Sequence, residues 1–200
     1  MRRRLGICAI CLAFAACAAI APHDSAFEAG IVTRAHWRSV PPSDADTPPR
    51  RHTVSHITLH HGGVDFPKDR DVRTYLRDLQ AWSRREKKWI DVPYHYVIDF
   101  NGRVYEGRPI EYAGDTNTEY DPEGHALIEL IGNYEEIEPS PEQMQALAKT
   151  MAMLAVQYRV PVSGIRAHRD YSSQTVCPGK NLYRHLPALR EQVAALIRTR

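Results

Sequence analysis

Two adjacent histidines, His60 and His61, close a short apolar run in the segment ITLHHGG. On a β-strand, neighbouring side chains point to opposite faces, so the two rings cannot both enter one site. His60 shares its face with the polar Thr58, whereas His61 continues the apolar face of Leu59. This alternation favours His60 as the residue that does chemistry and His61 as a packed histidine. The alternative is that both rings only form hydrogen bonds at the end of a strand.

A second candidate group lies far along the chain, where His168 in AHRD shortly precedes Cys177 in VCPG. Cys177 is the only cysteine that follows Cys17, so the folded part of the chain offers it no disulfide partner. Two histidines and a thiolate are a ligand set of catalytic zinc sites, in which water takes the fourth position. Because this spacing is not by itself an established zinc signature, a structural role for His168 stays open from the residues alone.

Two other polar side chains occur within apolar, strand-like segments. Glu129 interrupts the run ALIELIG, and burying a carboxylate without a partner is costly. It should therefore either form an ion pair or border a polar site. Tyr94 opens the segment YHYVIDF, where a tyrosine can belong to the core or to a site.

The N-terminus has the three parts of a secretory signal, which are three arginines, an apolar run and small residues. The apolar run is shorter than a comfortable transmembrane helix. The segment FAAC, residues 14–17, also resembles a bacterial lipobox, in which the cysteine is lipidated. We therefore predict a signal peptide over residues 1–17, export to the bacterial periplasm or cell envelope, and a lipid anchor through Cys17. Secretion without an anchor is the alternative.

The composition of the chain is that of a globular protein. With 43% hydrophobic and 25% charged residues, the sequence is neither a membrane bundle nor a disordered chain. The formal net charge of +2 includes three arginines of the predicted signal, so the mature chain has no basic excess that would favour nucleic acid. We expect a monomer with an extended N-terminal segment over residues 18–50 and a single domain over residues 51–200.

Hydrophobic periodicity predicts the elements that must position these side chains. The predicted regular elements are strands at 55–61 and 126–134 and helices at 69–89, 140–159 and 181–199. Asn101-Gly102 indicates a hairpin between two more strands, Ser140 caps the second helix, and Pro187 is expected to bend the third. This alternation predicts an α/β fold in a single domain, with a mixed central β-sheet flanked by helices.

Four ordered motifs resemble one family. The segments ITLHHGG, DVPYHYVID-NGRVYEGR, ALIELIGNYEE and HRDYSSQTVCPG are similar to those of zinc-dependent type-2 N-acetylmuramoyl-L-alanine amidases and the related peptidoglycan recognition proteins. The similarity runs from about Ile31, near the segment TRAHW, to the C-terminal helix. It implies the fold of those proteins for nearly the whole mature chain and a zinc amidase catalytic domain over residues 51–200.

The resemblance also implies roles for individual residues. One zinc ion would be held by His60, His168 and Cys177. Tyr94 falls on the family's active-site tyrosine, and Thr175 falls where phage amidases carry a lysine and many recognition proteins a threonine. Glu129 matches a glutamate near the metal in the recycling amidases, whose third ligand is an aspartate rather than a cysteine. The chain therefore mixes features of two branches.

The implied activity is hydrolysis of the amide bond between N-acetylmuramic acid and L-alanine in peptidoglycan stem peptides. Zinc would activate water, Glu129 would act as general base, and Tyr94 and Thr175 would stabilise the oxyanion. Peptidoglycan or a muropeptide would be the partner. Because metal-bound histidines usually donate their second ring N–H to an acceptor, Asp170 is a candidate for that contact.

Two other functions compete with the amidase. The first is a peptidoglycan-binding recognition module without catalysis. In the family that the chain resembles, members that lose the cysteine ligand become pure binders, and this chain retains that cysteine as Cys177. The second is a cysteine peptidase that uses Cys177 with His168. It leaves His60 without a role, and Pro178 is a poor start for the helix that activates a thiolate in such enzymes.

Overall fold

The structure is a computed structural model that describes residue 28 and residues 30–42 and 48–199. The predicted signal peptide and Cys17 lie outside the described residues. Among the helices that are described, no segment has the length and apolar character needed to cross a membrane.

A five-stranded mixed sheet organises the chain. Its strands are β1 (His56–His61), β2 (Tyr96–Ile98), β3 (Val104–Glu106), β4 (His125–Leu130) and β5 (Ile165–Ala167). They lie in the order β3-β2-β4-β1-β5, in which β2, β4, β1 and β5 run parallel and only β3 is antiparallel. The carboxyl ends of β4, β1 and β5 therefore meet at one edge of the sheet. The predicted hairpin is present, with Gly102 at φ +74° in its turn.

Within residues 48–199, four α-helices accompany the sheet, namely α1 (Val72–Glu86), α2 (Pro141–Tyr158), α3 (Lys180–Tyr183) and α4 (Leu186–Arg198). Ser140 and Gln143 form the predicted capping box at the start of α2, with backbone-to-side-chain hydrogen bonds of 3.0 and 3.1 Å. Asp71 caps α1 through a 2.7 Å hydrogen bond from the Thr74 N–H. This cap explains why α1 begins three residues later than predicted.

Two parts of the chain differ from expectation. The C-terminal segment is not one bent helix, because α3 and α4 are separate and Pro187 lies in the first turn of α4, where its missing N–H costs nothing. In the described part of residues 18–50, Arg34–Trp37 forms a 3-10 helix where an extended segment was predicted. Trp37 is fully buried and donates a 2.7 Å hydrogen bond to the Glu106 carbonyl.

Helices cover both faces of the sheet. One face carries Ile57 and Leu59 of β1 into a core shared with α2 and α4. The opposite face carries Val97 into a smaller core with Leu76 of α1 and with Trp37. The structure therefore has the predicted single α/β domain, and the strand residues that alternate with Ile57 and Leu59 face the side of α1.

Candidate metal centre and active site

Three atoms that could bind a metal, two histidine nitrogens and one cysteine sulfur, converge at the carboxyl edge of the parallel strands. They belong to His60 at the end of β1, His168 directly after β5, and Cys177 in the loop that follows, and all three residues are buried. These atoms lie within 4.8 Å of one another, and His60 Nδ1 is 3.7 Å from Cys177 Sγ. The structure therefore brings together the three residues that sequence reasoning grouped as zinc ligands.

The donor set fits a tetrahedral zinc ion. Zinc–sulfur and zinc–nitrogen bonds of ordinary length place the two donor atoms ~3.6 Å apart, close to the separation of His60 Nδ1 and Cys177 Sγ. Burial holds the pKa of His60 well below its ordinary value and lowers that of His168 to about 4, so both rings are neutral and able to bind metal. Burial also raises the pKa of the Cys177 thiol to about 12, so a bound cation is needed to keep its thiolate form at neutral pH.

His61 points away from this cluster, as strand alternation predicted. Its ring nitrogen Nδ1 accepts a 3.3 Å hydrogen bond from the Tyr134 N–H, and its ring lies against that of Tyr134. Its backbone N–H donates to Cys177 Sγ at 3.4 Å. His61 thus contacts the cysteine through the main chain and packs through its ring.

Glu129 is fully buried and is paired in register with His60 on the neighbouring strand. The Tyr75 hydroxyl donates a 3.1 Å hydrogen bond to Oε1 of Glu129, while Oε2 is buried without a hydrogen-bond partner in the described part of the chain. Burial raises the pKa of the carboxyl to about 7. The carboxyl is not part of an ion pair among the described residues, and its unpartnered oxygen can exchange a proton near neutral pH.

Two further residues border Glu129, and of these only Tyr75 was not singled out in the sequence. Tyr75 lies on α1, three residues after Val72, so its position on the buried stripe of the helix was a usable signal. Gly62 follows β1, and a Cβ placed there would lie 2.9 Å from Glu129 Oε1. The absence of a side chain at residue 62 therefore leaves the space that the carboxyl occupies.

Tyr94 and Thr175 border the same cavity as the three candidate metal ligands. The Tyr94 ring centroid lies 5.3 Å from that of His60, and burial raises the pKa of its hydroxyl well above the ordinary value. Tyr94 is therefore protonated at neutral pH and can donate a hydrogen bond. The Thr175 hydroxyl accepts a 3.0 Å hydrogen bond from the Cys177 N–H, which fixes its position next to the candidate ligand Cys177.

The cavity has a volume of about 600 Å³, which lies in the range of small-molecule sites. Besides the candidate metal ligands, it is bordered by Trp82 of α1, by Trp89 and by residues 115–118. Trp82 is 37% exposed, so the cavity opens to solvent beside an aromatic surface.

Asp170 does not take the role that the sequence suggested. Its Oδ2 accepts a 2.9 Å hydrogen bond from the Ala167 N–H and its Oδ1 accepts one of 2.7 Å from the Tyr183 hydroxyl. Both oxygens thus hold the turn around His168 rather than its ring. The ring nitrogen Nε2 of His168 instead meets the hydroxyls of Thr116 and Thr118, at 3.2 and 2.8 Å.

This combination of fold and site defines a class of protein. Residues 50–180 match the family model described as N-acetylmuramoyl-L-alanine amidase, and the chain belongs to that family. Its relatives include peptidoglycan-recognition protein SD of Drosophila simulans, which is 36% identical over 166 residues, covering 78% of this chain and 83% of the relative.

Solved structures show the same fold. The crystal structure of a Drosophila peptidoglycan recognition protein SD superposes with a TM-score of 0.67 at 31% identity, covering 77% of this chain and 90% of that one. Peptidoglycan recognition protein LE, solved with tracheal cytotoxin, a monomeric diaminopimelic acid-type peptidoglycan, superposes at 0.69 and 21% identity, covering 80% and 94%. The endolysin amidase LysCS from Clostridium intestinale superposes at 0.62 and 22% identity, covering 79% and 93%.

Proposed function

We propose that this protein is a zinc-dependent N-acetylmuramoyl-L-alanine amidase that hydrolyses the bond between N-acetylmuramic acid and L-alanine of peptidoglycan stem peptides. The observation that carries the proposal is the complete donor set of His60, His168 and Cys177 beside a buried carboxyl with one unpartnered oxygen. A chain that only binds peptidoglycan has no need of a buried thiol, two neutral histidines and a carboxyl with a pKa near 7 in one cavity.

The residues around the proposed zinc site have complementary roles. His60, His168 and Cys177 would hold the zinc ion, which when bound would supply a water with its pKa lowered to ~7 and would polarise the amide carbonyl. Glu129 accepts the proton of the attacking water at Oε2 and returns it to the leaving amine of L-alanine. Its other oxygen stays bonded to Tyr75, so the carboxyl keeps one orientation through both proton transfers.

When water adds to the amide, the carbonyl oxygen becomes the oxyanion of a tetrahedral intermediate, and this oxyanion needs a hydrogen-bond donor. The Tyr94 hydroxyl borders the cavity and stays protonated, so it donates to this oxygen, and Thr175 assists from the loop before Cys177. Such a donor is typically worth about 3 kcal/mol of transition-state stabilisation.

Peptidoglycan or a muropeptide is the proposed substrate. The cavity has room for a sugar and part of its peptide, and its open side is bordered by Trp82 and Trp89. A structural neighbour is solved with a monomeric peptidoglycan fragment, which supports this class of ligand.

We further propose that the protein is exported and acts as a monomer, held in the bacterial cell envelope through a lipid on Cys17.

A recognition module without catalysis is the second candidate. It is favoured by one observation, namely that relatives at 36% identity bear the name of peptidoglycan-recognition proteins. The two candidates predict the same fold and ligand class, so only metal content and bond cleavage distinguish them.

The test compares the wild-type protein with Cys177→Ser and His60→Ala. The amidase is expected to hold about one zinc per chain and to release peptides with a free L-alanine amino terminus, and both properties should be lost in His60→Ala and after EDTA treatment. Binding of peptidoglycan without cleavage under any condition would establish the recognition module instead. Activity that survives EDTA and stops with a thiol alkylator would indicate the cysteine peptidase.

Mass spectrometry of the mature N-terminus tests the lipid on Cys17.

A further inference from the structure

The ring of His168 is held by a short loop that sequence reasoning did not connect with the site. Nε2 of His168 lies 2.8 Å from the Thr118 hydroxyl and 3.2 Å from that of Thr116, and the two hydroxyls are 3.0 Å apart. The Thr118 N–H also donates to the Thr116 hydroxyl at 3.3 Å. The two threonines therefore form one hydrogen-bonded unit that ends on the imidazole.

The Thr118 N–H is the one donor of fixed direction among these contacts, and one arrangement of the other protons suits metal binding at the imidazole. In this arrangement, the Thr116 oxygen accepts two hydrogen bonds, one from the Thr118 N–H and one from the Thr118 hydroxyl. The Thr118 oxygen then remains as the acceptor for an N–H at Nε2 of His168. With the proton on Nε2, the lone pair of the neutral ring is on Nδ1, which is the form that binds a metal.

Three further contacts hold in place the loop that contains Thr116 and Thr118. The buried Arg108 pairs with Asp115 at its start. Glu119 accepts a 2.6 Å hydrogen bond from the Ser172 hydroxyl, which joins it to the turn after His168. Tyr120 places its ring 5.3 Å from the His168 ring. The threonine hydroxyls are thus fixed relative to the histidine by contacts on both sides.

We propose that Thr118, supported by Thr116, is a positioning residue that fixes His168 in its Nε2-protonated tautomer and in the ring orientation required for zinc. The inference rests on the proposed zinc site and adds to it the group that orients its second histidine. Outer contacts of this kind usually change metal affinity by about 10- to 100-fold when they are removed.

The test measures zinc affinity by competition with a chelating dye for Thr118→Val, Thr118→Ser and the wild type. Valine keeps the shape of threonine without the hydroxyl, so the zinc dissociation constant should rise roughly 10- to 100-fold. Serine restores the hydroxyl and should bring the constant back to within about threefold of the wild type, by the same hydrogen-bond logic. Thr150→Val is the matched control, since it removes a buried threonine hydroxyl from α2 that donates to the Ala146 carbonyl within its own helix.

Two further readouts separate positioning from general loss of structure. The 15N NMR shifts of His168 should report an Nε2-protonated ring in the metal-free wild type and a mixture of tautomers in Thr118→Val. The absorption bands of the cobalt-substituted protein should change in Thr118→Val and not in Thr150→Val. Wild-type affinity in Thr118→Val, with an unchanged tautomer, would overturn this inference and leave the amidase standing. A wild-type protein that binds no zinc would overturn the proposed function itself.

Discussion

His60 on β1 and Glu129 on β4 are directly paired across two parallel strands, so both side chains leave the sheet on the face of α1. The strand next to them on the other side, β5, ends at Ala167, and His168 follows at once. The ends of the neighbouring strands β4, β1 and β5 therefore carry, in that order, the proposed base Glu129 and the proposed ligands His60 and His168. A slip of β4 by one residue would turn Glu129 to the opposite face and separate the base from the metal.

The two adjacent histidines should respond differently to removal. In His60→Ala, zinc content and amidase activity should both be lost, because one of three proposed protein ligands is gone. In His61→Ala, zinc should stay bound while the free energy of unfolding falls by about 1–3 kcal/mol, since the ring packs against Tyr134. Metal analysis and denaturant unfolding of the two variants measure this difference. Equal loss of zinc from both would contradict the assignment of the two faces.

Glu129→Gln should retain zinc and lose turnover. The amide keeps the size of the carboxyl and can still accept from Tyr75, but it cannot carry a proton between water and the leaving amine. The rate constant kcat should fall by about 10²- to 10⁴-fold, as is typical of a lost general base. Metal analysis beside the kinetics checks that the site is intact, and wild-type kcat in this variant would assign the proton transfer to another group.

Glu129 should also make the metal-free protein less stable as the pH rises. Its pKa is about 7 in the fold against an ordinary value of 4.5, so the fold favours the protonated form. Below pH ~4.5 the carboxyl is protonated in both states and contributes nothing, whereas between about pH 4.5 and 7 stability falls, reaching a loss on the order of 3 kcal/mol above pH 7.

The difference between Glu129→Gln and the wild type isolates this effect from the titrating histidines. With EDTA present, the variant should gain stability relative to the wild type on going from pH 5 to pH 8. Urea unfolding at both pH values measures it. A constant difference between the two proteins across this range would show that the carboxyl has an ordinary pKa.

Gly62→Ala should affect activity more than stability. The new methyl group would lie 2.9 Å from Glu129 Oε1, and the carboxyl is the mobile partner that must move away from it and from Tyr75. Displacing a reacting group by about 1 Å can cost on the order of 10²-fold in rate. Gly164→Ala is the matched control, because its methyl group meets Val160 at 3.0 Å outside the site. Similar kinetics for the two variants would show that the absence of a side chain at Gly62 is not required for activity.

Tyr94→Phe should lower kcat by about 10²- to 10³-fold with little change in zinc content, because the hydroxyl is the proposed donor to the oxyanion. Phenylalanine keeps the ring beside His60, so packing in the cavity is preserved. Steady-state kinetics on a defined muropeptide give the measurement. An increase in KM alone would mean that Tyr94 binds the substrate and does not stabilise the transition state.

Sequence periodicity predicted most of the fold because strands and helices here have strong patterns and local caps. The alternation around His60, the Asn101-Gly102 turn and the Ser140 capping box are all local signals, and the structure has each of them. It did not predict β5, which has only three residues, or the break between α3 and α4. Such short elements are determined by packing against the rest of the domain rather than by their own sequence.

The candidate site shows the same limit. His60, His168 and Cys177 were grouped as zinc ligands because two histidines and a thiolate are a known zinc ligand set and because four ordered motifs resemble one family. Contacts that hold those residues come from distant segments with ordinary composition. Tyr75 reaches Glu129 from a helix 54 residues earlier, and Thr118 reaches His168 across 50 residues. The pattern of a single sequence does not show which residues so far apart along the chain will be in contact.

The pairing of His60 with Cys177 closes a chain segment of 117 residues. Metal bound there would link the first strand of the sheet to the loop before α3, and it would have no comparable site in the unfolded chain. Ligand that binds only the folded state adds RT ln(1 + [L]/Kd) to the unfolding free energy, or about 4 kcal/mol at a thousandfold excess over Kd. Zinc supply would then govern the lifetime of the protein against unfolding and proteolysis in the compartment where it works, as well as its rate of catalysis.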